Sequence, residues 1–268
     1  MGSGTFRTSD GCMIAFRVHP AATPRAPRTA LIHSLALDRS IWDGVVTAMK
    51  SETELLTYDC RGHGRSERRA MPYTAELFAR DLAELLDHVG WQDAGIAGCS
   101  MGGCVAQAFA GVYPARTLWL GLIDTTAWYG ADAASQWRER AQAARDKGFE
   151  ALLDFQLTRW FGDAYLKKNT KPTAELRKVF LANDVECYAA ACEMLGGADM
   201  RRYLRSISVP TAVVVGADDQ ATPVAMARAL HKAIAGSTLA VIPGARHLTP
   251  VERPREVAAR LLSLLQRR

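Results

Sequence analysis

The sequence predicts an α/β fold in which a mostly parallel central sheet is flanked by helices and carries one all-helical insertion after its sixth strand. Continuous apolar runs recur along the chain, as in strands buried on both faces of a parallel sheet. Helical stretches alternate with these runs, which implies right-handed crossovers within one sheet. The alternation stops near residue 126 and resumes near residue 206. We therefore expect residues 1–126 and 206–268 to form the core domain and residues 127–205 to form a helical lid subdomain.

The composition is that of an ordinary globular protein. The 268 residues are 49% hydrophobic and 23% charged, enough to bury a full core. The six cysteines are scattered without a Cys-x-x-Cys pair, which favours reduced buried thiols over disulfides or a metal site. The N-terminal residues lack a signal core and no apolar run has the length of a membrane span, which predicts a cytoplasmic protein without a membrane partner. The formal charge of +5 is spread along the chain, and the basic residues form no stripe interleaved with aromatic residues, so we expect no nucleic acid partner. The sequence leaves open whether the protein forms a homo-oligomer.

The first third of the chain predicts a hairpin followed by two parallel strands. Residues 5–8 and 12–18 flank Asp10-Gly11, a dipeptide typical of tight β-hairpin turns. In the stretch 73–89 the apolar residues fall on one face at helical spacing, which predicts a helix. The remaining elements predicted before residue 94 are strands at 29–33 and 54–59 and a helix at 40–50.

The middle of the chain contains the stretch Gly98-Cys99-Ser100-Met101-Gly102. It follows the apolar run 94–97 and precedes a helical run, and Gly-x-Ser-x-Gly between strand and helix is typical of the nucleophile elbow of serine hydrolases. Glycines on either side let strand and helix approach closely around a serine with a strained backbone. The helix N-terminus also offers unpaired N–H groups beside Ser100, where an oxyanion could be held. The motif therefore predicts Ser100 as a nucleophile.

The second half of the chain predicts one more strand, the lid and the end of the sheet. Residues 117–123 form the sixth strand. The lid has no clear strand, and its Ala-, Leu- and Arg-rich stretches predict helices at 133–147, 149–161, 173–183 and 186–194. Strands at 211–216 and 238–242 and helices at 223–235 and 254–266 complete the predicted core.

A serine hydroxyl is a weak nucleophile, so Ser100 needs a base, and the base needs an orienting carboxylate. Two histidines follow the strands that return after the lid. His231 lies within a predicted helix, whereas His247 lies in a loop after the last strand, where parallel sheets place their active sites. We therefore expect His247 to be the base.

The orienting carboxylate has three candidates. Asp218 and Asp219 stand side by side after the strand at 211–216, and Asp124 ends the preceding strand. Each of these positions is close enough to the predicted active-site edge of the sheet to reach a histidine. Residue spacing therefore leaves all three open.

Four stretches of the sequence resemble the α/β-hydrolase superfamily, and together they span almost the whole chain. The superfamily's Gly-x-x-Asp-x-x-Thr-Pro pattern implies that the catalytic acid is Asp219, and the resemblance implies neither a metal nor an organic cofactor. The four stretches are Tyr58-Asp59-Cys60-Arg61-Gly62-His63-Gly64-Arg65-Ser66, Gly98-Cys99-Ser100-Met101-Gly102, Gly216-Ala217-Asp218-Asp219-Gln220-Ala221-Thr222-Pro223 and Pro243-Gly244-Ala245-Arg246-His247.

Within the superfamily, the chain is similar to the 3-oxoadipate enol-lactonases of aromatic catabolism. The similarity lies in residues 33–42 and in the lid residues 158–161. It implies that the N–H of Leu35 belongs to the oxyanion hole, together with the N–H of Met101, which is also expected there because it follows the nucleophile. The sequence departs from the pattern in the pair His33-Ser34 and in Asp124, where asparagine is expected.

These features predict a serine hydrolase that opens a small ester or lactone through an acyl-enzyme, with an enol-lactonase-like activity as the first hypothesis. A general carboxylesterase or perhydrolase, a carbon–carbon bond hydrolase of ring-cleavage products and, remotely, a non-catalytic ligand receptor are the alternatives. A substrate anion taken under a lid needs a cation or hydrogen-bond donors, and Arg159 is the candidate for that role. The predicted substrate contacts are Ser34, Trp128, Arg159 and Trp160.

Overall fold

A computed structural model describes residues 2–23 and 25–266. Its strands are β1 (Ser3–Arg7), β2 (Met13–His19), β3 (Arg28–Ile32), β4 (Glu54–Tyr58), β5 (Ala94–Cys99), β6 (Thr117–Ile123), β7 (Thr211–Gly216) and β8 (Thr238–Ile242). They form one eight-stranded sheet in the order β1-β2-β4-β3-β5-β6-β7-β8. The pairs β1–β2 and β2–β4 are antiparallel and all other neighbouring strands are parallel. The predicted mostly parallel sheet is confirmed.

The helices flank this sheet and cover the apolar runs of its central strands. α2 (Ala75–His88) packs on α3 (Met101–Val112), α1 (Asp43–Met49) packs on α11 (Pro254–Leu265), and α9 (Val224–Ala233) packs on β7 and β8. β5 is buried along its whole length between β3 and β6, which explains why its sequence is continuously apolar or small instead of alternating. The helices of the described residues are α1 (Asp43–Met49), α2 (Ala75–His88), α3 (Met101–Val112), α4 (Ala133–Trp160), α5 (Asp163–Lys168), α6 (Thr170–Leu181), α7 (Val185–Gly197), α8 (Arg201–Leu204), α9 (Val224–Ala233), α10 (Thr249–Glu252) and α11 (Pro254–Leu265).

The insertion between β6 and β7 is helical, as predicted. It comprises α4 to α8, and an isolated antiparallel bridge between Trp128 and Asp199 joins the two ends of the insertion. The two helices predicted on either side of Gly148 are the two arms of α4, and they are separated at Gly148, whose φ of 71° and ψ of 172° are not helical. The short helices α5 and α8 were not predicted, since neither is long enough to show a helical period. The division into a core and a lid domain stays a prediction.

The other predicted elements agree with the observed ones to within about three residues. The helix expected at 40–50 begins as a 3₁₀ turn, Arg39–Trp42, because the Asp38 carboxylate caps it by accepting from the Ser40 N–H. In the described part of the chain, no helix combines the length and hydropathy of a membrane span. The same residues contain no cluster of three or more His, Cys, Asp or Glu side chains arranged to hold a metal ion.

Candidate active site

Ser100 lies at the sharp turn between β5 and α3. Its backbone has φ 55° and ψ −114°, in the positive-φ region that favours glycine, and such strain persists only where the surroundings impose it. Gly98 allows the turn to be this tight, because a Cβ there would lie 2.0 Å from the Gly102 carbonyl oxygen. The hydroxyl of Thr125 donates to the Ser100 carbonyl at 2.7 Å and holds the turn from the end of β6.

Ser100, His247 and Asp219 form a hydrogen-bonded chain of buried side chains. His247 Nε2 lies 2.8 Å from Ser100 Oγ, and His247 Nδ1 lies 2.8 Å from Asp219 Oδ2. An ionised carboxylate can only accept, so Nδ1 carries the imidazole proton and Nε2 accepts from the Ser100 hydroxyl. In this arrangement His247 can take the proton of Ser100 when the hydroxyl attacks.

Asp219 lies in a turn whose donors surround its carboxylate. Oδ1 accepts from the N–H groups of Ala221 and Thr222 at 2.7 and 2.9 Å, and Oδ2 accepts from the Thr222 hydroxyl at 2.8 Å. Burial by itself would raise the pKa of Asp219, but His247 and the Thr222 donors hold this pKa below its ordinary value. The carboxylate therefore stays ionised beside the imidazole.

The other two candidate carboxylates do not contact His247. Asp218 is exposed. Asp124 is buried, but its oxygens accept from the Gly216 N–H at 3.0 Å and from the N–H and hydroxyl of Thr249 at 2.9 and 2.7 Å. Asp124 therefore ties the end of β7 to the first residue of α10, which follows closely after His247.

Leu35 and Met101, the predicted oxyanion donors, have backbone N–H groups that find no acceptor within the described residues. Met101 is the first residue of α3, and its N–H has no intrahelical partner. His33 Nδ1 donates to the Ser34 carbonyl at 2.7 Å, since His33 Nε2 already accepts from the Cys60 N–H at 2.8 Å. The carbonyl and N–H of a trans peptide point in opposite directions, so this bond turns the Leu35 N–H away from His33.

A cavity of about 610 Å³ lies between the lid and the edge of the sheet that carries Ser100 and His247. This volume is typical of sites for small molecules. Residues 220–223, in the turn that carries Asp219, close one side of the cavity. The lid contributes most of the remaining wall, including Tyr129, Trp137, Arg140, Gln156, Arg159 and Trp160.

Three of the four predicted substrate contacts, Ser34, Arg159 and Trp160, line this cavity. Trp128 does not line this cavity, and its role in substrate binding stays a prediction. Its side chain is 38% exposed, and the Arg201 guanidinium lies 4.0 Å from its ring centroid. The bridge to Asp199 at the base of the lid holds Trp128 there, away from the cavity wall.

Arg140 is the charged cavity residue that sequence reasoning missed. Its Nε donates to the Tyr188 hydroxyl at 2.8 Å, and its guanidinium lies 4.9 Å from the Trp137 ring centroid. No carboxylate of the described chain lies within ion-pair distance of it, whereas Arg145 of the same helix pairs with Glu186. The helical spacing of Trp137 and Arg140 was the available signal, but α4 carries several arginines and only tertiary packing distinguishes the one that faces the cavity.

The chain is similar to known proteins in both sequence and fold. A sequence model described as the alpha/beta hydrolase family matches residues 30–260. The 3-oxoadipate enol-lactonase 2 of Acinetobacter baylyi is 34% identical over 232 residues, 86% of either chain. The enol-lactonase of Burkholderia xenovorans LB400 superposes with a TM-score of 0.93 at 33% identity, covering 98% of this chain and 100% of that one. An esterase of Thermogutta terrifontis superposes with a TM-score of 0.91 at 28% identity, covering 100% and 99%.

The chain therefore belongs to the alpha/beta hydrolase family. Because its relatives include enol-lactonases and an esterase, each matched over most of its length, it is an ester-hydrolysing enzyme of the lactonase and esterase type.

Proposed function

We propose that this enzyme opens a small anionic enol-lactone, in keeping with its similarity to 3-oxoadipate enol-lactonases, and that Ser100, His247 and Asp219 form its catalytic triad. The observation that carries the proposal is the guanidinium of Arg140, which lines the same cavity as Ser100 and has no carboxylate partner in the described chain. A cation enclosed by protein is stabilised when a ligand supplies the opposite charge. A carboxylate beside the lactone ring is such a charge.

In the proposed reaction, Ser100 Oγ attacks the lactone carbonyl while His247 takes its proton. The N–H groups of Leu35 and Met101 stabilise the oxyanion, and each donor of this kind contributes about 10²–10³-fold in rate. Ring opening expels an enolate that His247 protonates, and tautomerisation gives a ketone. A water molecule activated by His247 then hydrolyses the acyl-enzyme and releases the acid.

Arg159 supports an anionic substrate as a second cation in the same wall. Its guanidinium lies 5.2 Å from the Phe155 ring centroid, and its Nη2 lies 3.4 Å from the Gln220 carbonyl oxygen. Burial and the positive charge of Arg140 lower the pKa of Arg159, so the two guanidinium groups repel each other. A carboxylate bound beside both groups offsets this repulsion.

Steady-state hydrolysis of an enol-lactone bearing a carboxylate, of its neutral methyl ester and of an aryl acetate tests the proposal. Hydrogen bonds to charged groups are strong enough that Arg140→Met should lower kcat/KM for the anionic lactone by about 10- to 100-fold. Neutral substrates should lose less than about threefold, since they have no charge to pair. Arg145→Met is the matched control, because Arg145 lies on the same helix but pairs with Glu186 at the surface.

Other patterns of relative hydrolysis rates would contradict parts of the proposal. Equal losses on anionic and neutral substrates would mean that Arg140 supports the lid without contacting substrate. A wild-type preference for neutral esters would replace the enol-lactonase hypothesis by a general carboxylesterase. Turnover of ring-cleavage diketones above all esters would favour the carbon–carbon bond hydrolase.

A further inference from the structure

Asn183, in the turn between α6 and α7, makes a hydrogen bond from the lid to the core. Its Nδ2 donates to the carbonyl oxygen of Ala36 at 2.8 Å, across 147 residues of sequence. The same nitrogen donates to the carbonyls of Val179 and Phe180 at 3.0 and 2.9 Å. All three neighbours can only accept, so this end of the amide is the nitrogen.

Ala36 lies in a strained turn that follows β3. Residues 34–37 form a turn closed by the Leu37 N–H and the Ser34 carbonyl, which are 3.4 Å apart. Ala36 is the third residue of this turn and has φ 60°, a conformation that glycine normally supplies at that position. An alanine held there needs support from outside the turn. The closing bond within the turn is long, and the bond from Asn183 supplies that support.

The turn also contains Leu35, a proposed oxyanion donor. Its N–H belongs to the peptide whose carbonyl, that of Ser34, is held by His33. The peptide that follows Ala36 is held at its carbonyl by Asn183. The peptide groups before Leu35 and after Ala36 are thus anchored, the first from the core and the second from the lid.

We infer that Asn183 is a positioning residue that aims the Leu35 N–H at the oxyanion, so that the lid completes the oxyanion hole as well as covering the cavity. The inference rests on the proposed function, since it requires Leu35 to be a donor in the reaction. Asn183 touches neither Ser100 nor His247, and it acts only through the backbone of Ala36.

A purely structural role predicts different kinetics. If Asn183 only capped the end of α6, its loss would loosen the lid, raise KM and lower the melting temperature. Oxyanion contacts are stronger in the transition state than in the ground state, so their loss lowers kcat and kcat/KM together and leaves KM unchanged.

Hydrolysis of an aryl acetate by three variants separates these roles, because it needs no knowledge of the natural substrate. Asn183→Ala should lower kcat and kcat/KM equally, by about 10-fold, less than the 10²–10³-fold for outright loss of an oxyanion donor. Asn183→Ser should behave in the same way, because serine can still donate to the Val179 carbonyl four residues back but is too short to reach Ala36. Asn169→Ala is the control, since Asn169 Nδ2 donates only within the lid, to the Tyr165 carbonyl at 3.1 Å.

Coupling to Ala36 completes the test. Glycine adopts positive φ without strain, so Asn183→Ala should reduce kcat less in an Ala36→Gly background than in the wild type. Equal reductions in both backgrounds, a raised KM at unchanged kcat, or the same kinetic loss in Asn169→Ala would overturn the inference. If Asn183→Ala does not fold, the Asn183→Ser comparison decides. Ser100→Ala, measured in parallel, reports on the proposed function separately: full activity there would reject the triad, whatever Asn183 does.

Discussion

Ser100 combines a strained backbone with one hydroxyl directed at His247, and alanine removes the hydroxyl while it keeps the Cβ. Ser100→Ala should therefore retain the wild-type melting temperature and lose activity by at least about 10⁴-fold, because the members of a triad act as a unit. A fluorophosphonate probe followed by mass spectrometry should label the wild type at Ser100 and leave the variant unlabelled. Residual turnover above a tenth of the wild type would contradict the assignment of the nucleophile.

Of the three candidate carboxylates, Asp219 is the one that contacts His247. Matched Asp→Asn variants measure how much each carboxylate contributes to activity. Asp219→Asn should lower kcat by about 10³–10⁴-fold, because the amide favours the wrong imidazole tautomer. Asp218→Asn should stay within about twofold of the wild type, since this side chain is exposed. Asp124→Asn should lower the melting temperature, because one buried oxygen acceptor is replaced by a donor group that faces other donors. If Asp124→Asn is instead the variant that abolishes kcat with an intact fold, the acid is Asp124.

The strand–turn–helix element around Ser100 depends on close backbone contact. A Cβ at Gly98 would lie 2.0 Å from the Gly102 carbonyl oxygen, so Gly98→Ala should lower the free energy of unfolding by about 3 kcal/mol or more in urea titrations. Gly197→Ala is the matched control, because a Cβ at the last residue of α7 would meet no atom within 4 Å. This control should be neutral or slightly stabilising, since alanine favours helix over glycine. If the urea midpoint of Gly98→Ala equals that of the wild type, the backbone around Ser100 can move to accommodate the added Cβ.

For the molecule as a whole, two buried histidines should couple stability to pH. Burial lowers the pKa of His33 to about 4 and, together with His33, lowers the pKa of His63 to about 3. The unfolded chain binds protons at these rings below about pH 6.5 while the folded chain does not, so stability is full above that pH and falls as the pH drops toward 4. His63 alone should account for about 2 kcal/mol of loss between pH 6.5 and pH 5.

Chemical denaturation of His63→Asn at pH 7.5 and pH 5 checks this coupling. Asparagine can still donate to the Arg61 carbonyl, which His63 Nδ1 contacts at 3.0 Å, but it has no imidazole to protonate. The variant should therefore lose about 2 kcal/mol less than the wild type on acidification. A wild-type slope in His63→Asn would show that this ring is protonated in the folded protein.

Short-range patterns in the sequence were sufficient to predict several parts of this protein. Apolar runs placed the strands, helical periods placed the core helices, and the Gly-x-Ser-x-Gly turn placed Ser100 between β5 and α3. His247 could be predicted as the base because it lies in a loop after the last strand, whereas His231 lies inside a helix. Such features depend only on residues that are close together in the sequence, so they can be predicted without the tertiary structure.

The contacts between side chains that are distant in the sequence depend on how the folded chain packs. Residue spacing left three carboxylates open, and packing placed Asp219, the residue that the superfamily pattern implies, beside His247. Packing also placed Arg140 in the cavity wall, and it joined Asn183 to Ala36 across 147 residues. Local sequence does not distinguish one arginine of α4 from another, because burial and hydrogen-bond partners are set by elements that are distant along the chain.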